Sequence, residues 1–378
     1  MFLLGFIWFA VWGAILSFNV GKWIPTIGAI ARVSLLAFFS FSVLVYAFKH
    51  GVHGFGASAF KPTYAIFIAA VPVLFFNFVG FELPNAAGEE MKNPKRDVPF
   101  TVLRAAAASI LLYGVPVLMI LLVLPTGQIT NLNGFIDAMK TVFTVYGGSV
   151  AADGTPTLTG AGHVLGDLAA LGFIWVLMSS GATWIIGADR TQAVAGYDGA
   201  APRGLGVFSK RWGTPIVVNL LSGIVATIVM ILASSLTSGS SEKYFSVVLG
   251  LAISTTTISY IAIFPAFVKL RYNHGHVPRP FRVPGGMTGA WVVSVLTTGW
   301  AVLASVVLLW PGFLTSDPNS ALDGLGFSHQ RWQYETAELV PLAAILVLGV
   351  IFYFAGAPTR RKTATVQLTE TGAEAAPA

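Results

Sequence analysis

The stretch Val71–Phe100, VPVLFFNFVGFELPNAAGEEMKNPKRDVPF, decides how this chain is read. It opens as an apolar helix. It then meets Asn77-Phe78-Val79-Gly80, a poor place for a helix, and a carboxylate, Glu82, while the sequence is still apolar. It leaves through Glu89-Glu90, an Asn93-Pro94 turn and a basic cluster at Lys92, Lys95 and Arg96. A helix that comes apart inside hydrocarbon leaves peptide N–H and C=O groups without partners. That is tolerated only where the break lines a cavity or is covered by protein. The stretch therefore predicts a membrane helix broken around a hollow.

The rest of the chain sets the solvent. Of 378 residues, 55% are hydrophobic and only 10% charged, against about 25% charged in a soluble domain. The expectation is an all-α polytopic membrane protein lying in a lipid bilayer. The net charge of +6 is spread over short loops, not gathered on one soluble face, so no nucleic-acid partner is expected. The absence of cysteine excludes disulfides, thiolate catalysis and Cys-based metal sites. All six histidines (His50, His53, His163, His274, His276 and His329) are assigned to loops, without the facing carboxylates a metal site needs. No Ser/His/Asp order, Walker loop or dinucleotide fingerprint appears. No metal, no cofactor and no enzymatic chemistry are expected. No signal peptide is visible, because Met1–Gly21 carries no charge.

Nine segments are long enough to cross about 30 Å of hydrocarbon: residues 1–18, 24–48, 63–87, 101–124, 164–188, 214–234, 244–268, 289–313 and 338–356. Residues 1–356 are expected to form one transmembrane bundle, and 357–378, polar and aperiodic, a disordered cytoplasmic tail. The longest loops, 125–163 and 314–337, are rich in Gly, Thr, Asn and Asp. Pro99 and Pro215 sit where a helix would begin. Orientation follows the Lys/Arg bias. With the loop after the broken helix inside, sixteen of the 22 Lys and Arg residues fall in the cytoplasm and five outside, with Arg32 in a span. The C-terminus is then cytoplasmic and Met1 outside. An uncharged first span beginning at its own Met, N-terminus out, looks like the interior of a longer protein.

Two ionisable residues, Arg32 and Glu82, are placed deep in the membrane. Each costs about 2.5–3.5 kcal/mol or more at a helix centre and so should face protein or water. They serve either as a brace between helices or as groups beside a solute path. Phe76 and Phe78 flank the break, as packing residues or as the wall of a pocket. Ser179-Ser180-Gly181 allows close helix approach. Trp184, mid-span and away from the interfacial belt where Trp usually lies, suits an aromatic pocket.

Asn77 to Glu82, followed by Gly88-Glu89-Glu90-Met91-Lys92-Asn93-Pro94-Lys95-Arg96-Asp97-Val98-Pro99, resembles the sixth helix and following loop of amino acid–polyamine–organocation permeases. The run Trp184 to Pro202, with Gly187, Arg190 and Asp198-Gly199, looks like that family's eighth helix and its cytoplasmic exit. Gly213-Thr214-Pro215 looks like the start of the ninth. The resemblance implies a leucine-transporter-like fold whose helices four to twelve correspond to the nine spans, a partial form lacking helices one to three and the Gly-rich break of the first. It further implies secondary transport of amino acids or related amines, such as polyamines, across the cytoplasmic membrane by alternating access, as an exchanger. The alternative is an N-terminally truncated, non-transporting fragment. By the same resemblance, the substrate site comprises Phe76 as aromatic gate, Asn77, Phe78, Val79 and Gly80 as the unwound segment, with Phe81 and Trp184 as pocket walls. Arg32 falls where many members carry a fifth-helix lysine near a former sodium site. With Ser180 and Glu82 it makes the coupling set, Arg32 standing in for the ion. A membrane-embedded enzyme is the weaker rival, since it needs converging carboxylates or histidines and Glu82 stands alone. No oligomeric state is read from the sequence.

Overall fold

The structure, a computed structural model, describes residues 2–16, 21–52, 61, 63–83, 91–123, 134–152, 154–237, 240–277, 279 and 282–362. Among these it forms α1 (Phe2–Ile15), α2 (Trp23–His50), α3 (Tyr64–Phe76), α4 (Pro94–Val123), α5 (Gly134–Phe143), α6 (Gly160–Tyr197), α7 (Ile216–Leu236), α8 (Ser241–Asn273), α9 (Gly286–Leu309) and α10 (Arg331–Ala355). A hairpin of β1 (Gly148–Val150) and β2 (Pro156–Leu158) pairs antiparallel, with Ser149 opposite Thr157. Among the described residues, seven helices are long and apolar enough to cross a membrane, and α1 and α3 are apolar but shorter. The protein is an all-α polytopic membrane protein.

Several helices overrun the spans expected for them. The longest, α4, α6 and α8, have 30, 38 and 33 residues, against about 20 needed for a crossing. Hydropathy marks where lipid ends, not where hydrogen bonding ends, so basic residues such as Lys95 and Lys269 are helical. Pro94, not Pro99, opens α4: the first-turn N–H groups lack helical partners anyway, so the proline loses little there. The Asp97 carboxylate accepts the Asn93 N–H at 3.1 Å and closes the turn. Thr63 caps α3 by accepting the Ile66 N–H at 3.3 Å, and Ser240 caps α8 by accepting that of Lys243 at 3.4 Å.

The chain divides into two compact units. The first comprises residues 1–61, 103–186 and 211–214. Its core joins Phe39, Val43 and Tyr46 of α2 to Ala138, Met139, Val142 and Phe143 of α5 and Ala169 of α6. Segment 125–163, read from sequence as a loop, thus holds a helix, a 3-10 turn and the hairpin. The apolar positions of α5 recur at helical spacing, but ten residues between Gly- and Thr-rich runs gave a weak signal. Ser42 and Tyr146 hydroxyls lie 3.0 Å apart, and Lys49 Nζ donates to the Val145 carbonyl at 2.8 Å. Gly28 of α2 meets Ser179 of α6 so closely that a β-carbon on Gly28 would overlap the serine side chain. Two histidines leave their expected loops. His50 ends α2, its ring stacked 4.3 Å from that of Tyr46, and His163 in the first turn of α6 pairs with Asp167 at 3.1 Å. His53 lies outside the described residues.

The second unit comprises residues 62–102, 187–210 and 215–378. Here α8 packs along α9, and α9 along α3. One core cluster gathers Val247, Leu322, Phe327, Tyr334 and Ala337, and another Ala193, Ala201, Leu205 and Val218. Many large apolar side chains face outward, among them Ile224, Ile228 and Leu232 of α7 and Val292, Val295 and Leu296 of α9, as lipid-facing surfaces require. Residues 357–362, expected as the start of a disordered tail, are mostly helical, and Arg360 donates to the Gly199 carbonyl at 2.5 Å. Residues 363–378 lie outside the described residues.

Candidate functional site

Helix α3 has no charged residue and ends at Phe76 after 13 residues, well short of residue 87 where its span was placed. Asn77 keeps a right-handed helical conformation as C-cap. The chain then tightens, with the Phe78 N–H on the Phe75 carbonyl and the Val79 N–H on that of Phe76, both at 3.1 Å. Gly80 has φ +96°, a left-handed conformation that side chains with a β-carbon resist. Helix propagation stops there.

The peptide groups freed by this turn find unusual partners. The Gly80 N–H donates to the hydroxyl of Tyr260 on α8, at 3.3 Å. The same hydroxyl donates to Glu82 Oε2 at 2.6 Å. A phenol is both donor and acceptor, and Tyr260 uses both capacities on the break. Its ring is buried within an aromatic group: Phe264 at 4.9 Å, Phe81 at 5.6 Å and Phe75 at 6.0 Å between centroids. Among the described residues, no main-chain donor reaches the carbonyls of Asn77, Phe78 or Val79. These oxygens sit at a helix C-terminus, the negative end of the helix dipole, and offer acceptors to a cationic amine. Beyond the break, Leu83 rests against Gly187 of α6, where a β-carbon would come within 2.9 Å of it.

The residues singled out from sequence are distributed as follows. Phe76 to Glu82 form the break itself, with Phe78 about half exposed and the ring of Phe81, also outward on one side, stacked toward Phe264 at 6.4 Å. Arg32, Ser180 and Trp184 belong to the first unit. Arg32 lies one turn beyond Gly28, is half-buried, and among the described residues makes no hydrogen bond or ion pair. Ser180 follows Ser179, whose hydroxyl turns back to the Val176 carbonyl at 3.0 Å. Trp184 is partly exposed. Residues 84–90, with Gly88, Glu89 and Glu90 of the quoted motif, lie outside the described residues. No group of three or more metal-binding side chains occurs among the described residues.

Three buried polar residues escaped the sequence reading. Tyr260 lies in a run, Ser254-Thr255-Thr256-Thr257-Ile258-Ser259-Tyr260, whose hydroxyl density was the available signal. Asp189 and Glu338 stand at the edges of the spans drawn from hydropathy, 164–188 and 338–356. Both are buried in helices, so Glu82 is not the lone carboxylate. Asp189 Oδ1 accepts the Ser222 hydroxyl at 2.6 Å, and Glu338 Oε1 that of Ser254 at 2.6 Å.

A sequence model of the family described as "Amino acid permease" matches residues 1–322. The chain belongs to the amino acid permease family. Among curated relatives, it is 24% identical over 374 residues to a probable agmatine/putrescine antiporter of Lactococcus lactis, covering 97% of this chain and 71% of that protein. It is 28% identical over 244 residues to an uncharacterized transporter of Legionella pneumophila, covering 63% and 47%. It is 22% identical over 293 residues to a glutamate/gamma-aminobutyrate antiporter of L. lactis, covering 74% and 52%. The chain thus spans about half the length of the last two and 71% of the first. These relatives, like the amino acid permease family, are transporters and not enzymes, in agreement with the sequence reading.

Proposed function

We propose that this permease carries amino acids or related amines across the cell membrane by exchange, with the break at Asn77–Gly80 as the centre of its substrate site. The observation that carries the reading is the break: a half-buried helix end whose Asn77, Phe78 and Val79 carbonyls have no main-chain donors among the described residues, and whose Gly80 N–H is held by a side chain instead. Such discontinuous helices form midplane binding sites in secondary transporters. The carbonyls of Asn77, Phe78 and Val79 take the substrate ammonium. Phe76 gates the outer side and Phe81 walls the break, and the family resemblance assigns Trp184 a substrate-facing role as well. The same resemblance assigns Glu82, Arg32 and Ser180 to coupling, with Arg32 supplying a fixed positive charge in place of a bound cation. The Lys/Arg asymmetry supports a cytoplasmic C-terminus. The antiporters among the relatives favour exchange over uptake, and the compounds in their names, agmatine, putrescine, glutamate and gamma-aminobutyrate, are the first to try. No specific observation favours the non-transporting alternative.

The test is counterflow in proteoliposomes containing the full-length protein. Vesicles loaded with each unlabelled amino acid, agmatine or putrescine are offered the same compound in labelled form. Saturable accumulation of at least one, lost in Glu82→Ala, is expected. Absence of accumulation with every compound overturns the reading.

A further inference from the structure

Glu338 lies about two turns into α10 and has no solvent exposure. Its Oε1 accepts the Ser254 hydroxyl of α8. Its Oε2 has no hydrogen-bond partner among the described residues and rests against Gly250 of α8, where a β-carbon would come within 2.8 Å of that oxygen. No cation among the described residues answers it. On α10, Arg331 is 3.4 Å from Glu335, and the Tyr334 hydroxyl donates to the Leu308 carbonyl at 3.1 Å. On α8, Lys243 donates to Gln330 at 2.6 Å, and Glu242 and Tyr244 are the other ionisable residues of that end. α9 contains no ionisable residue. In the turn before α10, Asp323 accepts the Ser328 hydroxyl.

An ionised carboxylate in this place has one donor and no counter-charge, an arrangement that costs several kcal/mol. Buried acids in that position neutralise instead. A hard metal cation requires about six or more oxygen ligands or retained waters. Here Glu338 and Ser254 supply side-chain oxygens, and the Gly250 backbone closes the side of Oε2. The site accommodates a proton.

The helix that answers Glu338 is also the one that holds the break. Ser254, Thr257 and Tyr260 follow one another at three-residue spacing on one buried face of α8. Ser254 serves Glu338, Thr257 accepts the Ser305 hydroxyl of α9 at 2.9 Å, and Tyr260 serves Gly80 and Glu82. From Ser254 to Tyr260 is roughly 9 Å along a continuous helix.

We propose that Glu338 is a proton-binding site whose occupancy sets the position of α8, and through it the Tyr260–Glu82 contact at the break. The proton adds to Oε2, Oε1 goes on accepting from Ser254, and no other covalent bond forms or breaks. Loss of the proton leaves a charge with a single donor. Relief comes from water reaching it between α8 and α10, which parts the two helices and moves the Tyr260 hydroxyl. The consequence for transport rests on the carrier reading; the protonation and the movement of Tyr260 do not.

The test is pH-stepped infrared difference spectroscopy on the full-length protein in lipid vesicles, with exchange measured in the same vesicles. Expected is a carboxylic-acid carbonyl band that titrates in the wild type and is lost in Glu338→Gln. A tyrosine ring band should titrate with it and be lost in both Tyr260→Phe and Glu338→Gln. Exchange should depend on pH in the wild type and be flat in Glu338→Gln, which mimics the neutral acid. A carbonyl band unchanged in Glu338→Gln overturns the proton site. A tyrosine band that persists in Glu338→Gln overturns the coupling through α8. If neither protein exchanges any substrate, the carrier reading fails, while the two infrared bands still decide this proposal.

Discussion

Tyr260 and Glu82, 178 positions apart in sequence, are joined by a 2.6 Å hydrogen bond from phenol to carboxylate. The same phenol receives the Gly80 N–H that the end of α3 leaves without a main-chain partner. A single hydroxyl thus ties α8 to the broken segment from two sides, and losing it should be felt both in the fold and in transport.

Tyr260→Phe tests this. The ring keeps its place among Phe75, Phe81 and Phe264, so packing is preserved and the hydroxyl alone is lost. The Gly80 N–H and one Glu82 oxygen, both half-buried, then lose their partner, at a cost of about 1 kcal/mol. A lower unfolding midpoint of the purified protein and a substrate exchange rate reduced about tenfold or more are expected. A variant with wild-type stability and flux would show that the hydroxyl holds nothing that matters.

Gly80→Ala addresses the backbone. At φ +96° a β-carbon strains the chain by roughly 1–2 kcal/mol. The turn should open or shift, moving the carbonyls of Asn77 to Val79. Exchange should fall at least several-fold with a raised KM, while the isosteric-backbone control Val79→Ala, at a position without positive φ, should fall less. Equal effects of the two changes would remove the conformational argument.

The break was legible in sequence because Asn77, Gly80 and Glu82 are each unusual in an apolar run and adjacent to one another. Local chemistry was enough. Tyr260 was not legible as its partner, since a tyrosine in a membrane helix reads as packing until a distant segment is placed beside it. Glu338 and Asp189 were passed over for a different reason. Span edges were drawn from hydropathy, which charged residues themselves pull inward, so a carboxylate buried near a helix end was assigned to the margin. α5 was missed because ten residues carry too little periodic signal, although Phe143 and Val142 fill the core against Phe39.

Arg32→Lys bears on coupling. The guanidinium stays protonated under all ordinary conditions, while a lysine ammonium in a half-buried site is able to release its proton. With Arg32 as a fixed charge, the substitution should introduce a new pH dependence of exchange between neutral and alkaline conditions, absent when the arginine is present. Rates measured across that range in vesicles of equal internal and external pH provide the check. Superimposable profiles would assign Arg32 a bracing role.

The contact of Gly28 with Ser179 fixes how closely α2 and α6 approach, one turn from Arg32. A β-carbon on Gly28 would occupy the space of the serine side chain, and close helix approach through small residues is the main source of association between helices in lipid. Gly28→Val should therefore overpack the contact and destabilise the protein by about 1–3 kcal/mol, read as a lower unfolding midpoint in detergent. Ser179→Gly by itself should have a small effect, because its hydroxyl bonds only within α6. Combined with Gly28→Val it should recover most of the loss, since it vacates the space the valine needs. That non-additivity is the signature of direct contact between the two positions, and simple addition of the two single effects would show that the helices are not in contact there.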